Sequence, residues 1–536
     1  MLCALGLIAW SCSADERDFD RASQLGDAGD GGEPAIAGAG GADTTVNGGA
    51  GAEAAGGTVS EAGRASSSQD LIVVSTSPEG GATGIERDAV IEVTFSAALD
   101  VTSVAAQSFK VSGPAGPMDG KLSVKGATVT FTPSASYALL ADYTVAIAAN
   151  VGAEQGGELG EAYEFGFQSR DGIFGKPVRL TTQATINLKF VGNRLGHAAA
   201  AWSDDTTPSN SFAALFDPVT GSWGETAALE NDNVNDHTFV SIAINASGQA
   251  YAVTGNTVAS WNRAEGGDWA AASMSGIAQR RSCALADDGT AMTVWDEVVG
   301  EDWRCAGASQ SPANKWSATT ILQDKARSWG VVSYGTGFLA FHAREPNAQM
   351  FSRAYEAARG WLPAKPITPA DSGANYVSYA TLAPDALFAW NDAKGRMQAS
   401  LFDGDTWVTQ ELGPVAGATN SSMGPRGHLV TWPHINSVYA ARYDLELGWG
   451  DAIKLGSTLL DYPGPGASVD DAGNALAVWA EGTAVAWRRS PNGAPWLDAQ
   501  QIEDQDPDAV FSIGAASGEV MVIWSNPLGV WASRFE

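Results

Sequence analysis

Residues 470–479 (DDAGNALAVW) contain the pattern that decides the fold: an acidic, Gly-containing turn runs into a short apolar strand that ends in Trp479. A further strand follows at residues 485–488, and Trp496 opens a last segment. Gly473 suits the turn because glycine adopts positive φ without steric cost. Short apolar runs bounded by such turn residues predict antiparallel β-strands.

This pattern occurs eight times between about Ile186 and the C-terminus, and two of the eight copies, those through residues 251–253 and 338–341, are degenerate. In the other copies the apolar strand ends in a tryptophan: Trp202, Trp295, Trp390, Trp432, Trp479 and Trp524. A period of roughly 40 to 50 residues is typical of small sheets repeated around an axis, as in a β-propeller. We expect these tryptophans to pack between neighbouring sheets rather than to stack on sugars.

The last copy ends with Arg534, Phe535 and Glu536, directly after its third strand. Residues 174–180 (FGKPVRL) look like the fourth segments of the copies, such as residues 449–455 (WGDAIKL). A strand supplied from before the first copy would complete the last sheet and bury both terminal edges. We therefore predict an all-β chain with an eight-bladed propeller over residues 172–536. A seven-bladed propeller is the alternative, if one degenerate copy is an elaborated loop.

A non-repeating β module precedes the repeats, over residues 71–171. It contains residues 77–85 (SPEGGATGI), 90–95 (VIEVTF) and 128–133 (TVTFTP). Strand-length segments separated by turn signals every 8 to 12 residues or so predict a β-sandwich. These motifs resemble the bacterial Ig-like domain of surface-layer and other exported proteins. The resemblance implies a spacer or adhesive module, with no catalytic residues.

The N-terminus consists of two segments of unusual composition. Residues 1–10 (MLCALGLIAW) are apolar but too short to span a bilayer, and Ser11 and Cys12 follow. Residues 13–70 are mainly Gly, Ala, Ser and acid, a composition that predicts a disordered tether. Residues 1–12 resemble the end of a bacterial lipoprotein signal peptide with its lipobox, which implies that Cys12 becomes the lipidated first residue of the mature chain. We expect an exported cell-surface or outer-membrane lipoprotein, with a secreted or periplasmic protein as the alternative.

The formal net charge of -30 makes nucleic acid and anionic membrane surfaces poor partners for the body of the chain. We expect membrane contact only through the lipid anchor. Paired acids at residues 204–205, 287–288 and 470–471 are interpreted as turn caps, with calcium in one of these loops as the alternative. No calcium-loop motif of the D-x-[DN]-x-[DN]-G type is present, so we predict no cofactor and no metal site.

Two cysteines, Cys283 and Cys305, lie in the third repeat. In an exported protein such a pair suggests a disulfide. We place them on the first and third strands of one sheet, however, and such strands are about 10 Å apart, beyond disulfide reach. Both interpretations stay open. No histidine lies at ligand spacing from either cysteine, which argues against a metal site.

No motif in the sequence identifies an active site. Residues 468–473 and 287–290 come near the sialidase Asp-box, S-x-D-x-G-x-T-W, without matching it. Neither a G-x-S-x-G elbow nor a phosphate-binding Gly-rich loop with Lys is present. Five isolated histidines are expected to be structural or exposed to solvent: His197, His237, His342, His428 and His434. We predict no catalytic residue.

Arg442, Arg488 and Arg534 fall at the same place on the third strand of three successive repeats. They could form a cationic arc that faces a ligand, although pairing with turn carboxylates such as Asp444 is the favoured interpretation. We expect a monomeric surface protein that presents its propeller to a glycan, a matrix polymer or another surface protein. A glycosidase-like enzyme of the sialidase type and a purely structural envelope component are the alternatives.

Overall fold

The computed structural model describes residues 70–206, 209–229, 240–254, 257–263, 267–277, 279–458, 464–502 and 506–536. The proposed signal segment, Cys12 and almost all of the tether lie outside these residues. The described residues are all-β. Among them, no helix has the length and hydropathy needed to cross a bilayer.

Residues 73–168 form a two-sheet module. One sheet has the strand order β1-β2-β6-β5 and the other has the order β4-β3-β7-β8. The strands are β1 (Val73–Ser77), β2 (Ile91–Phe95), β3 (Phe109–Gly113), β4 (Gly116–Pro117), β5 (Gly120–Lys125), β6 (Thr128–Pro133), β7 (Asp142–Ile147) and β8 (Tyr163–Gln168). Alternation sets the inner face, since Ile91, Val93 and Phe95 are buried while Glu92 between them is exposed. Buried residues of both sheets share one hydrophobic core.

The described residues after the module form eight antiparallel sheets, numbered here 1 to 8 in chain order. Strand β9 (Val178–Thr181) precedes them. Sheet 1 contains β10 (Thr185–Gly192), β11 (Ala198–Asp204), β12 (Ser211–Asp217), β13 (Ser222–Trp223) and β14 (Ala227–Leu229). Sheet 2 contains β15 (Val240–Ile244), β16 (Ala250–Thr254), β17 (Thr257–Arg263) and β18 (Ala270–Ile277). Sheet 3 contains β19 (Gln279–Leu285), β20 (Ala291–Val299), β21 (Asp302–Gln310) and β22 (Thr320–Asp324). Sheet 4 contains β23 (Ala326–Tyr334), β24 (Gly337–Arg344), β25 (Gln349–Glu356), β26 (Gly360–Trp361) and β27 (Lys365–Pro366).

The remaining four sheets repeat this arrangement. Sheet 5 contains β28 (Asn375–Leu382), β29 (Asp385–Asn391), β30 (Arg396–Phe402) and β31 (Trp407–Pro414). Sheet 6 contains β32 (Asn420–Gly424), β33 (Gly427–Pro433), β34 (Ser437–Asp444), β35 (Gly448–Trp449) and β36 (Ile453–Ser457). Sheet 7 contains β37 (Gly466–Val469), β38 (Ala475–Glu481), β39 (Ala484–Ser490) and β40 (Gln500–Ile502). Sheet 8 contains β41 (Ala509–Gly514), β42 (Val520–Asn526) and β43 (Gly529–Phe535).

Strand β9 completes sheet 8, although it precedes sheet 1 in the chain. It pairs antiparallel with β43, so that Val178 lies opposite Ala532 and Thr181 lies opposite Val530. The two strands approach so closely that a Cβ added at Gly529 would lie 1.9 Å from the carbonyl oxygen of Thr181. The prediction that residues 174–180 supply the last strand is confirmed.

Neighbouring sheets pack face to face through apolar clusters. The first strand of each sheet contacts the first strand of the next, and β41 of sheet 8 contacts β10 of sheet 1. A cluster between sheets 8 and 1 contains Phe511 and Ile523 together with Phe190 and Trp202.

The six repeat tryptophans lie at these contacts between sheets, each on a second strand and packed against the preceding sheet. Their exposed fractions do not exceed 3%: Trp202, Trp295, Trp390, Trp432, Trp479 and Trp524. They therefore pack between sheets, as expected, and present no free ring face to solvent.

Candidate binding site

One cavity of about 430 Å³ lies where the first strands of the sheets end and turn into the second strands. Sheets 1 to 6 and sheet 8 all contribute lining residues. Seven of the eight first strands therefore converge on this one cavity. We call it the channel-mouth cavity, and residues 191–195, 241–246, 282–287, 331–335, 379–383, 422–423 and 514 line it.

The lining of this cavity is mostly apolar. It includes Val191, Ile244 and Leu382, together with Leu195, whose exposed fraction is 63%. Asp287 is an exposed carboxylate in the lining, and its Oδ1 accepts a hydrogen bond from the backbone N–H of Ala246 at 2.9 Å. An apolar cavity of a few hundred Å³ with a few polar groups is the usual form of a small-ligand site.

Arg194 crosses from sheet 1 toward the opposite side of the cavity. Its Nη1 donates to the carbonyl of Met423 at 2.9 Å, and its Nη2 forms an ion pair with Asp471. The carbonyl of Arg194 in turn accepts the N–H of Ala516 at 2.8 Å. One residue of sheet 1 is thereby tied to hairpins of sheets 6, 7 and 8.

Serine hydroxyls connect neighbouring first strands beside the cavity. The Oγ of Ser241 accepts the N–H of Cys283 at 3.3 Å, and the Oγ of Ser282 accepts the N–H of Val331 at 3.2 Å. The cavity wall is consequently built from strands that are bonded to one another, which favours a preformed site.

The predicted arginine set requires a correction. Strand pairing places Arg442 opposite Leu429 and Arg534 opposite Met521, in each case three residues before the second-strand tryptophan. In sheet 7 the residue opposite the equivalent position, Leu476, is Arg489. Arg488 lies opposite Ala477 and its side chain therefore points to the other face of the sheet.

The three equivalent arginines make contacts between sheets. Arg442 donates to the Oγ of Ser490 in sheet 7 at 2.6 Å, and burial lowers the pKa of its guanidinium. Arg534 forms an ion pair with Glu519 at 3.0 Å and lies over the ring of Phe216 in sheet 1. Arg489 is 2% exposed. These contacts favour the structural interpretation over a cationic face for a ligand.

A disulfide between Cys283 and Cys305 is not formed, and both thiols are buried and free. The two residues lie on the first and third strands of sheet 3, opposite Thr293 and Asp296 of the strand between them. Cys283 packs toward sheet 2 and Cys305 packs toward sheet 4, so their side chains point in opposite directions. Burial raises the pKa of Cys283 to about 12, which makes it a poor nucleophile.

The described histidines have structural environments. Burial lowers the pKa of His342 to about 3 and that of His428 to about 4. His428 stacks on Tyr443 with ring centroids 5.1 Å apart, and the Nδ1 of His197 lies 3.3 Å from the side-chain amide of Asn193. His237 lies outside the described residues.

Acidic side chains cap turns in the way the sequence indicates. The Oδ1 atoms of Asp204, Asp288 and Asp470 each accept a nearby backbone N–H at 2.8 Å. Burial opposes the ionisation of Asp204, but hydrogen bonds from Asn210 and Thr206 together outweigh it and hold its pKa below the usual value. Within the described ranges, no group of three or more His, Cys, Asp or Glu side chains is arranged to hold a metal ion. Calcium in one of these loops, the alternative interpretation, stays untested.

Arg194 and the serines beside the cavity were not anticipated from the sequence. The partners of Arg194 lie more than 200 residues away in the chain, at sequence separations of 229 and 277. They become neighbours only in the folded chain, where the hairpin of sheet 1 meets those of sheets 6 and 7. A serine in the first strand of several repeats, as at Ser241, Ser282 and Ser422, was the one available signal.

The chain is similar to several solved structures, each at low identity. The similarity to the WD40 domain of SCAP from fission yeast spans 68% of this chain and 98% of that domain, with 10% identity and a TM-score of 0.43. The chain covers 97% of the fucose-specific lectin from Aleuria aurantia with 51% of its length, 10% identity and a TM-score of 0.31. It covers 95% of the SapL1 lectin, solved with alpha methyl fucoside, with 49% of its length, 15% identity and a TM-score of 0.30. With TM-scores below 0.5, these similarities support no functional conclusion.

No curated protein matches the chain. The bacterial Ig-like domain family matches residues 67–169, which comprise the two-sheet module and include the motifs at residues 77–85 and 128–133. Residues 67–169 are therefore a bacterial Ig-like domain.

Proposed function

We propose that this chain is a surface binding protein whose eight sheets are the blades of a closed propeller, and that its ligand enters the channel-mouth cavity. The contacts of β41 with β10 and the apolar cluster between sheets 8 and 1 support closure. The observation that carries the binding proposal is the convergence of seven first strands on one apolar cavity.

The ligand we propose is a small neutral group, such as the terminal unit of a glycan. The lining contains two ionic side chains among the described residues, Arg194 and Asp287, and the charge of Arg194 is balanced by Asp471. A cavity of about 430 Å³ lies within the usual range for small-ligand sites. The net charge of -30 disfavours anionic ligands. An inserted loop of another surface protein is the second candidate for the same cavity.

We also propose that the chain is exported and lipidated at Cys12, with residues 13–70 as a tether, residues 71–171 as the Ig-like unit and residues 172–536 as the propeller. The match to a bacterial Ig-like domain supports export. Metabolic labelling with an alkyne fatty acid tests the anchor. We expect label on the wild-type chain and none on Cys12→Ser, whereas equal labelling of both would exclude this site.

A glycosidase-like activity is less well supported. Such chemistry generally needs two carboxyl groups on either side of the scissile bond. Within the part of the chain that the structure describes, Asp287 is the one carboxylate in the cavity lining. Any glycan that binds should therefore be recovered without turnover.

The decisive experiment is a glycan array probed with the full chain, followed by affinity measurements on the hits. We expect Leu195→Asp to weaken binding by about tenfold or more, because it places a charge in the apolar lining. Leu447→Asp is the matched control, since Leu447 is 88% exposed on a turn of sheet 6 outside the cavity.

Three outcomes would count against the proposal. Equal affinity of both variants would show that the ligand does not bind in the cavity. Product formed from a bound glycan would favour an enzyme. Failure to bind any glycan or isolated surface protein would favour a structural envelope role.

A further inference from the structure

The loop at residues 134–141 of the Ig-like domain, between β6 and β7, reaches into the propeller region. Leu139 is fully buried, and its side chain belongs to the apolar cluster between sheets 7 and 8, together with Trp524 and Phe535. Its N–H donates to the carbonyl of Ser517 at 2.7 Å. At Gly518, where φ is +87°, an added Cβ would lie 3.1 Å from the Leu139 Cβ. The loop therefore fits closely against the hairpin at residues 515–519 of sheet 8.

The same loop also holds the neighbouring hairpin, at residues 470–474 of sheet 7. The side-chain amide of Asn474 donates to the carbonyls of Leu139 at 3.4 Å and of Leu140 at 3.2 Å. Leu140 has a φ of +47°, a left-handed conformation that is costly for a leucine and needs support from its surroundings. One loop of the Ig-like domain thus ties together two adjacent hairpins of the propeller region.

Two charge clusters surround this contact. Glu519 forms ion pairs with Arg87 of the Ig-like domain at 2.5 Å and with Arg534 at 3.0 Å. Burial opposes the ionisation of Glu519, but the two arginines outweigh it and keep its pKa below the usual value. Arg489 pairs with Asp470 at 3.2 Å and with Asp171 at 3.4 Å. The Arg489–Asp470 pair, with side chains only 2% and 3% exposed, resists separation because either partner alone would be left desolvated.

The two hairpins that the loop holds, those of sheets 7 and 8, both contact Arg194. Ala516, next to Ser517, donates its N–H to the carbonyl of Arg194 at 2.8 Å and accepts the N–H of Asp471 at 3.1 Å. Asp471 is the ion-pair partner of Arg194. Adjacent residues therefore carry the contact from the Ig-like domain on one side to the lining of the channel-mouth cavity on the other.

We propose that the docked Ig-like domain fixes Arg194 across the channel mouth and so controls the shape and access of the cavity. This assignment rests on the proposed function for the meaning of the cavity, although the coupling itself is independent of any ligand. The Ig-like domain is then part of the binding unit and not a spacer. Leu139 and Arg87 are positioning residues, which act on the cavity through Ala516 and Asp471.

The test measures the reactivity of Arg194 toward phenylglyoxal in the full chain, with modification sites read by peptide mass spectrometry. Leu139→Asp places a charge in the apolar contact and should release the loop. We expect Arg194 to react at least about fivefold faster, because local opening removes its contacts with Asp471 and Ala516. Hydrogen exchange at residues 515–519 should accelerate in the same variant. Arg359, 66% exposed on sheet 4, serves as the internal reference and should not change.

Val101→Asp is the matched control, because Val101 is 62% exposed on the Ig-like domain. If Leu139→Asp does not fold, Arg87→Gln replaces it, with the same expectation. Unchanged reactivity of Arg194 while exchange at residues 515–519 accelerates would overturn the proposal, as would an equal rise in Val101→Asp. Neither readout uses a ligand. A failure here would therefore leave the binding proposal intact, and an unliganded cavity would leave the coupling intact.

Discussion

His342 illustrates, at the scale of single residues, how burial fixes chemistry. It lies fully buried on the second strand of sheet 4, where its ring stacks on Phe351 with centroids 5.6 Å apart. Neither ring nitrogen has a hydrogen-bond partner among the described residues. Burial, helped by Arg353 and Arg344, lowers the pKa of the imidazole to about 3. The side chain therefore stays neutral at physiological pH and behaves as a core aromatic ring.

This burial predicts a pH dependence of stability. Between the folded pKa of about 3 and the ordinary value of 6.5, the unfolded chain binds a proton at this residue that the folded chain does not. The contribution of His342 is therefore fully present above pH 6.5 and declines as the pH falls. Between pH 7 and pH 5, the free energy of unfolding of the wild type should fall by about 2 kcal/mol more than that of His342→Phe. Urea denaturation at the two pH values measures this difference.

Val219→Ala is the control, because Val219 is 90% exposed and carries no titratable group. It should lose as much stability as wild type over the same pH interval. A His342→Phe variant that also tracks wild type would contradict the account.

At the scale of strands and sheets, the repeat pattern predicted most of what the structure contains. The tryptophans marked the second strands because each packs against the sheet before it, and the likeness of residues 174–180 to other fourth segments predicted the β9–β43 pair. Register was predicted less well. Aligned repeats make Arg488 equivalent to Arg442 and Arg534 in place of Arg489, because alignment of the repeat sequences tolerates a shift of one residue. A strand does not tolerate it, since one residue reverses the face of every side chain.

The cysteine pair shows the same limit. Spacing placed Cys283 and Cys305 correctly on the first and third strands, but whether two side chains share a face depends on register. Cys283 lies opposite Thr293, and Cys305 lies opposite Asp296. Thr293 and Asp296 are an odd number of residues apart on one strand, so the two cysteine side chains point to opposite faces of the sheet. Sequence spacing alone carries no such information.

At the scale of the whole molecule, contacts between distant segments decide the candidate site. The ion pair of Arg194 with Asp471 joins residues 277 positions apart, and the Ig-like domain reaches sheet 8 through Leu139 and Ser517. Local patterns predict strands and turns, but they do not specify which hairpins meet once the last sheet packs on the first. The channel-mouth cavity and its Arg194 contact could therefore be recognised only in the folded chain.

Closure of the eight sheets is the claim on which the cavity, the Arg194 contact and the docking of the Ig-like domain all depend. A crystal or cryo-electron microscopy structure of the full chain tests it most directly. We expect eight sheets around one axis, with residues 178–181 as the outer strand of the last sheet and Phe511 packed against Trp202 of the first. Seven sheets, or a gap between the last sheet and the first, would contradict the account.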